Sequence, residues 1–231
     1  MKSNSHSNYI YLGNDVVATN LSRSIDKHLD TRFLNKVFTN TEQNIINAAT
    51  NPNIILWAMW AGKEAAFKAL KKIYPNLIFS PKKFQIDIYP DVDVRDEITC
   101  IGTITHGKHI LAGKWEFNPN KHFVHCVAGF ASTKQNLTVA YTMSLTNYHV
   151  FAINPNNHVE ESAQTRSGAI KYLISRGLNT KIKIVRESSS PPQLFINNQL
   201  LKNIDLSLSH DQVYAAVAVV DNHCLLQGKF Y

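Results

Sequence analysis

A chain of 231 residues is long enough for one large domain or two lobes of about 110 residues, either able to bury its own core without disulfides. A hydrophobic content of 44% with 18% charged residues excludes a disordered chain, and no apolar run approaches the roughly 20 residues of a membrane helix. The formal charge of +7 calls for an anionic partner without choosing among nucleic acid, anionic lipid, polyphosphate and acidic protein.

Met1–Asn8 is polar and lacks the apolar centre of a signal peptide, so a cytoplasmic protein with no membrane attachment is expected. Tyr9–Leu12 reads as a short strand interrupted or turned at Gly13, after which Asn14-Asp15-Val16-Val17 carries an acid into an apolar stretch. Arg23–Val37 reads as helical. Thr39 or Thr41 offers an N-cap for a helix through Ala49, with Glu42 placed to complete the cap. Ile54–Lys72 carries the strongest helical pattern in the sequence and stops before Pro75. The alternating segments Phe84–Tyr89, Ile98–Thr105, His109–Trp115 and Phe123–Ala131 read as strands of a largely antiparallel sheet, with turns at Gly107 and Gly113. Strands at Leu137–Ser144 and His149–Ile153, a helix over Glu160–Ser175 stopped by Gly177, and strands at Lys181–Val185, Gln193–Ile196 and Val213–Val220 follow. Ser188–Pro192 reads as a surface turn. Helix plus strands in each half gives an α+β fold with two similar lobes, residues 1–120 and 121–231.

Helical spacing puts Trp57, Trp60, Ala61, Glu64 and Lys68 on one stripe, so a carboxylate sits on an aromatic face. Glu64 and Lys68 are either an ordinary i,i+4 surface pair or part of a site. Asp15 is the nearest candidate for a second oxygen ligand, and two carboxylates plus substrate phosphate suit Mg²⁺. Ser207-Leu208-Ser209-His210 runs into the last apolar strand. Ser209 and His210 are either a satisfied turn or donors to a phosphate or nucleotide. No G-x-S-x-G elbow supports a hydrolase. His106, His109, His122 and His125 lack metal-site spacing and read as structural, as do the scattered Cys100, Cys126 and Cys224. Arg166 and Lys171 read as a solvated helix face or as contacts to a distant phosphate. The basic residues are spread out, against nucleic-acid binding.

The order Gly13-Asn14-Asp15-Val16-Val17, Phe38-Thr39 with Glu42, Trp60-Ala61-Gly62-Lys63-Glu64-Ala65 with Lys68, and Ser207-Leu208-Ser209-His210 resembles the 4′-phosphopantetheinyl transferase superfamily. The matching segments, Leu12–Lys72 and Asp205–Val220, cover about a third of the chain. The motif order is that of the short holo-acyl-carrier-protein-synthase type at the length of the long surfactin type. Asn14 stands where the family often has Ile, and Val17 where long members carry a second acid.

The resemblance implies transfer of the phosphopantetheine arm of coenzyme A to a serine of an apo acyl or peptidyl carrier protein, with release of 3′,5′-ADP. It implies that Asp15 and Glu64 hold Mg²⁺, that Lys63 and Lys68 touch phosphate, that Ser209 and His210 bind the nucleotide end, and that Glu64 is the base. It further implies two lobes forming a pseudo-dimer, hence a monomer with one cleft. The missing second acid keeps a second reading open, a catalytically silent homologue that binds coenzyme A or a carrier protein.

Overall fold

Strand β1 (Ile10–Ala18) runs unbroken through Gly13, where the sequence suggested a turn. The glycine serves packing instead, since a Cβ there would fall 1.8 Å from the Ala65 carbonyl oxygen and 2.6 Å from the Ala69 nitrogen. The computed structural model describes residues 9–88, 97–131, 138–155, 157–178, 181–186 and 190–222. The expected helix over Arg23–Val37 divides into a turn with a 3₁₀ segment (Lys27–Leu29) and helix α1 (Thr31–Val37), because the Asp30 carboxylate accepts the Phe33 amide and starts a new helix. Thr39 and Glu42 form a complete capping box for α2 (Asn40–Ala48). Helix α3 (Pro52–Lys71) opens with proline at its first position, where the missing amide costs nothing.

Strands β2 (Phe84–Asp87), β3 (Ile98–His106), β4 (His109–Asn118) and β5 (Phe123–Ala131) join β1 in an antiparallel sheet of order β1-β5-β4-β3-β2. Gly107 turns the β3–β4 hairpin at φ 58°. Gly113 does not turn. It lies within β4 opposite Gly102, and its missing side chain makes room for the Trp115 ring, 2.4 Å from where a Cβ would sit. Trp115 is wholly buried beneath α3 and donates its indole N–H to the Ala58 carbonyl at 2.9 Å. Strand β5 lies beyond the expected boundary at residue 120, yet it pairs with both β1 and β4, so a division there would split one sheet.

Leu137–Ser144, expected as a strand, contains helix α4 (Val139–Ser144), capped by the Thr138 hydroxyl; residue 137 lies outside the described residues. Strand β6 (Asn147–Ala152) and helix α5 (His158–Ser175) follow, the latter closed at Gly177 with φ 94°. Strands β7 (Ile182–Val185), β8 (Gln193–Ile196) and β9 (Gln199–Leu200) form one small sheet. Strands β10 (Ile204–Asp211) and β11 (Tyr214–Asp221) form another with β6, in the order β10-β11-β6. The Ser-His segment is thus strand rather than turn. Residues 188 and 189 of the expected Ser188–Pro192 turn, and Cys224, fall outside the described residues. Among the described residues no helix is long and apolar enough to cross a membrane.

The two halves meet along β1. As the edge strand it presents its even-numbered amides outward, and β10 meets them with side chains in place of a backbone ladder. Asp205 Oδ2 accepts Leu12 N–H at 2.6 Å, Ser207 Oγ accepts Asn14 N–H at 2.9 Å, and Asp211 Oδ2 accepts Ala18 N–H at 2.8 Å. Asn222 caps Ile10 in the same way. Lys72 at the end of α3 donates to Asp205 at 2.6 Å and to the Leu206 carbonyl at 2.8 Å, extending the seam. Ile10 and Leu12 pack with Ala218 and Val220 of β11 to complete an apolar layer between the halves.

Candidate active site

The close approach of Gly13 to α3 sets the site. Two residues further along the strand, Asp15 faces the same helix, and Glu64 and Lys68 stand beside the contacted Ala65 and Ala69 of α3. The Lys68 ammonium lies 2.8 Å from Asp15 Oδ1 and donates to the Asn14 carbonyl at 2.9 Å. Glu64 and Lys68 are therefore not a solvated surface pair. A cleft of about 180 Å³ is lined by Asp15, Glu64, Trp57, Trp60 and, from β10, His210. A second cleft of about 300 Å³ shares Glu64 and is lined by Lys68, Lys71 and Arg186 with Pro191 and Pro192. The aromatic and acidic stripe read from the sequence thus faces one space.

Negative charge in this space is under-compensated. Burial pushes the Glu64 carboxyl up to about 7, the Asp15 carboxylate adds to the rise, and Lys68 offsets it in part. Burial likewise raises Asp15, against the opposing pull of Lys68, His210 and the Val16 amide. Two half-dry carboxylates facing one ammonium form a site that a divalent cation would complete, and Mg²⁺ commonly takes one or two carboxylates with substrate phosphate and water. Among the described residues no group of three or more His, Cys, Asp and Glu is arranged to hold a metal. His210 is held from the other side. Its Nδ1 lies 3.4 Å from Glu161 Oε2, its ring centroid is 5.2 Å from that of His158, and burial followed by His158 lowers its pKa despite Glu161.

Two residues assigned to ligand contact are elsewhere. Lys63 is fully buried on the far side of α3, where its ammonium bonds Glu42 at 2.6 Å and the Pro81 and Phe84 carbonyls. Its three donors are consumed and none is left for a phosphate. Glu42 in turn closes the capping box and accepts the Ile86 amide, so the pair ties α2, α3 and β2 together. Ser209 alternates with His210, which places it on the face of β10 that meets β1; its hydroxyl is buried and does not line the cleft with His210. Arg166 and Lys171 line cavities along α5 to which Asp15 and Glu64 do not contribute. His125 is buried against Tyr148 and Asn14, and His106 and His109 pack on aromatic rings, in keeping with structural roles.

The sequence reading missed Asp205, Ser207 and Asp211 as lobe-bridging groups and Glu161 as the neighbour of His210. The first three carry a signal: Asp-x-Ser-x-Ser-x-Asp over 205–211 has the period of a strand with one polar face. Weighing Ser209 and His210 alone, as a turn or as donors, concealed it.

This geometry agrees with the comparisons to known proteins. The family model of the 4′-phosphopantetheinyl transferase superfamily matches residues 11–128, which include Asp15, Glu64 and Lys68. The chain belongs to that superfamily. A relative, the holo-[acyl-carrier-protein] synthase of Chlamydia felis (strain Fe/C-56), is 39% identical over 93 residues, covering 36% of this chain and 74% of its own length.

Proposed function

We propose that this chain transfers the 4′-phosphopantetheine group of coenzyme A to a serine of an apo carrier protein. The observation that carries this reading is that Glu64 lines two clefts at once, one with Asp15 and the other with Lys68, Lys71 and Arg186, while Lys68 bonds Asp15 at 2.8 Å. Coenzyme A is polyanionic and carrier proteins commonly present acidic surfaces, so the net charge of +7 suits both partners.

In this reading Asp15 and Glu64 would hold Mg²⁺, which supplies charge neutralisation for the pyrophosphate. Lys68 and its basic neighbours orient the phosphates. The carrier serine oxygen attacks the β-phosphorus, the bond to the bridging oxygen breaks, and 3′,5′-ADP leaves. Glu64, already holding its proton loosely at neutral pH, takes the serine proton directly or through water. His210, steadied by Glu161 and His158, lines the same cleft and is placed to meet the nucleotide end.

The same reading includes two lobes, divided after β5 rather than at residue 120. What supports it is topology: β1-β5-β4-β3-β2 in the first half is matched by β6-β11-β10 with β7 and β8 beyond in the second, and α3 and α5 follow β1 and β6. The first lobe supplies Asp15, Glu64 and Lys68 and the second His210, so one chain carries one complete cleft and works as a monomer. The test is release of 3′,5′-ADP stoichiometric with carrier modification, in the presence of coenzyme A and Mg²⁺ and lost with EDTA. Coenzyme A binding without release would instead support a silent homologue.

A further inference from the structure

The seam between β1 and β10 has a fixed register and one unfilled rung. Asp205 meets Leu12, Ser207 meets Asn14 and Asp211 meets Ala18, each pair 193 residues apart. The same offset sets Ser209 against Val16. Yet the Ser209 hydroxyl, in a residue only 5% exposed, has no hydrogen-bond partner among the described residues. A buried hydroxyl is seldom left unpaired in a settled structure. The Val16 amide, which the register directs at it, lends its positive end to the carboxylate of the adjacent Asp15 and helps to lower that group's pKa.

We infer that Ser209 is a positioning residue for the cation site, the standby acceptor that takes the Val16 N–H when Asp15 turns its carboxylate to a divalent cation. This rests on the reading of Asp15 as a cation ligand. The Asp15 carboxylate has two claims on it in the cleft, the Lys68 ammonium and the Val16 amide, and both must loosen for it to face a metal. An amide at a sheet edge released without a new acceptor would be left buried and unpaired, and that penalty would be charged against cation binding. Ser209 removes it, because the hydroxyl already stands in the rung. Its neighbours Ser207 and Asp211 hold the two strands in register on either side whether or not a cation is present. Ser209 alone of the four side chains gains its partner on loading.

The inference separates the roles of two serines two residues apart. In Ser209→Ala the deleted hydroxyl was unpaired, so the thermal midpoint in EDTA stays at the wild-type value, while Mg²⁺ affinity by calorimetry, metal alone with the full chain, falls about three- to tenfold, the worth of one hydrogen bond. Ser209→Thr, which keeps the hydroxyl, restores affinity. In Ser207→Ala the midpoint falls and Mg²⁺ affinity stays near wild type. On ¹⁵N spectra, Mg²⁺ moves the Val16 amide resonance of the wild type towards that of a hydrogen-bonded amide, and this movement is lost in Ser209→Ala. A Ser209→Ala protein that binds Mg²⁺ as the wild type does, or that loses stability in EDTA as Ser207→Ala does, overturns the inference and leaves the cation reading standing. A wild-type protein that binds no Mg²⁺ overturns both.

Discussion

Glu64 and Lys63 are adjacent in the chain and have opposite fates, because neighbouring helix positions lie about 100° apart. Lys63 is turned into the protein against Glu42. Lys63→Met leaves a buried carboxylate without its cation and is expected to lower stability by about 3–5 kcal/mol in urea unfolding, with Glu42→Leu in the same chain recovering part of the loss. Glu64 is turned into the cleft, where its pKa is raised from 4.5 to about 7. A carboxyl raised on folding contributes stability that is complete below about pH 4.5 and is lost as pH rises through about 7. Glu64→Gln removes that loss, so its thermal midpoint in EDTA exceeds the wild type's above neutrality and converges with it in acid. Equal pH dependence in the two proteins would contradict the assignment. Glu64 was legible at this scale from the helical stripe it shares with Trp57, Trp60 and Lys68. The inward turn of Lys63 was not, because its partner Glu42 is 21 residues away and had been read only as a cap.

At the scale of elements, what the sequence revealed were features with strong local signals: the Thr39–Glu42 capping box, the body of α3 up to its stop before Pro75, and the Gly107 hairpin. Three elements escaped it for reasons that lie outside the local chain. Gly13 and Gly113 read as turns but answer to the Ala65 backbone and the Trp115 ring, contacts made only once the helix lies on the sheet. The apolar alternation in 137–144 suggested strand, and the Thr138 cap decided for helix. The Gly13 contact yields a prediction. A Cβ 1.8 Å from a backbone oxygen cannot be relieved by a side-chain rotation, so Gly13→Ala must push β1 and α3 apart. The expected loss is about 3 kcal/mol or more in stability, with a fall in activity beyond the loss of folded protein because Asp15 moves with the strand. A Gly13→Ala variant with wild-type stability would show that the strand and helix are not locked at this point.

At the scale of the whole molecule, the cleft belongs to both halves. Asp15, Glu64 and Lys68 come before residue 131 and His210 after 138, and the β1–β10 seam sets the distance between them. That seam was invisible to a reading that searched for motifs, since its members are 193 residues apart and are recognised only by their shared register. The sequence did suggest two similarly sized lobes with a helix and strands in each, but it put the boundary inside the first sheet, because Phe123–Ala131 carries no mark of which strands it joins. The central claim, that this cleft performs the transfer, is tested most directly by intact-mass measurement of an apo carrier protein incubated with coenzyme A, Mg²⁺ and either the wild-type chain or Glu64→Gln. The expected result is a mass gain of one phosphopantetheine with the wild type and a rate reduced roughly 10²–10⁴-fold with Glu64→Gln. Modification at the wild-type rate by Glu64→Gln would contradict the account.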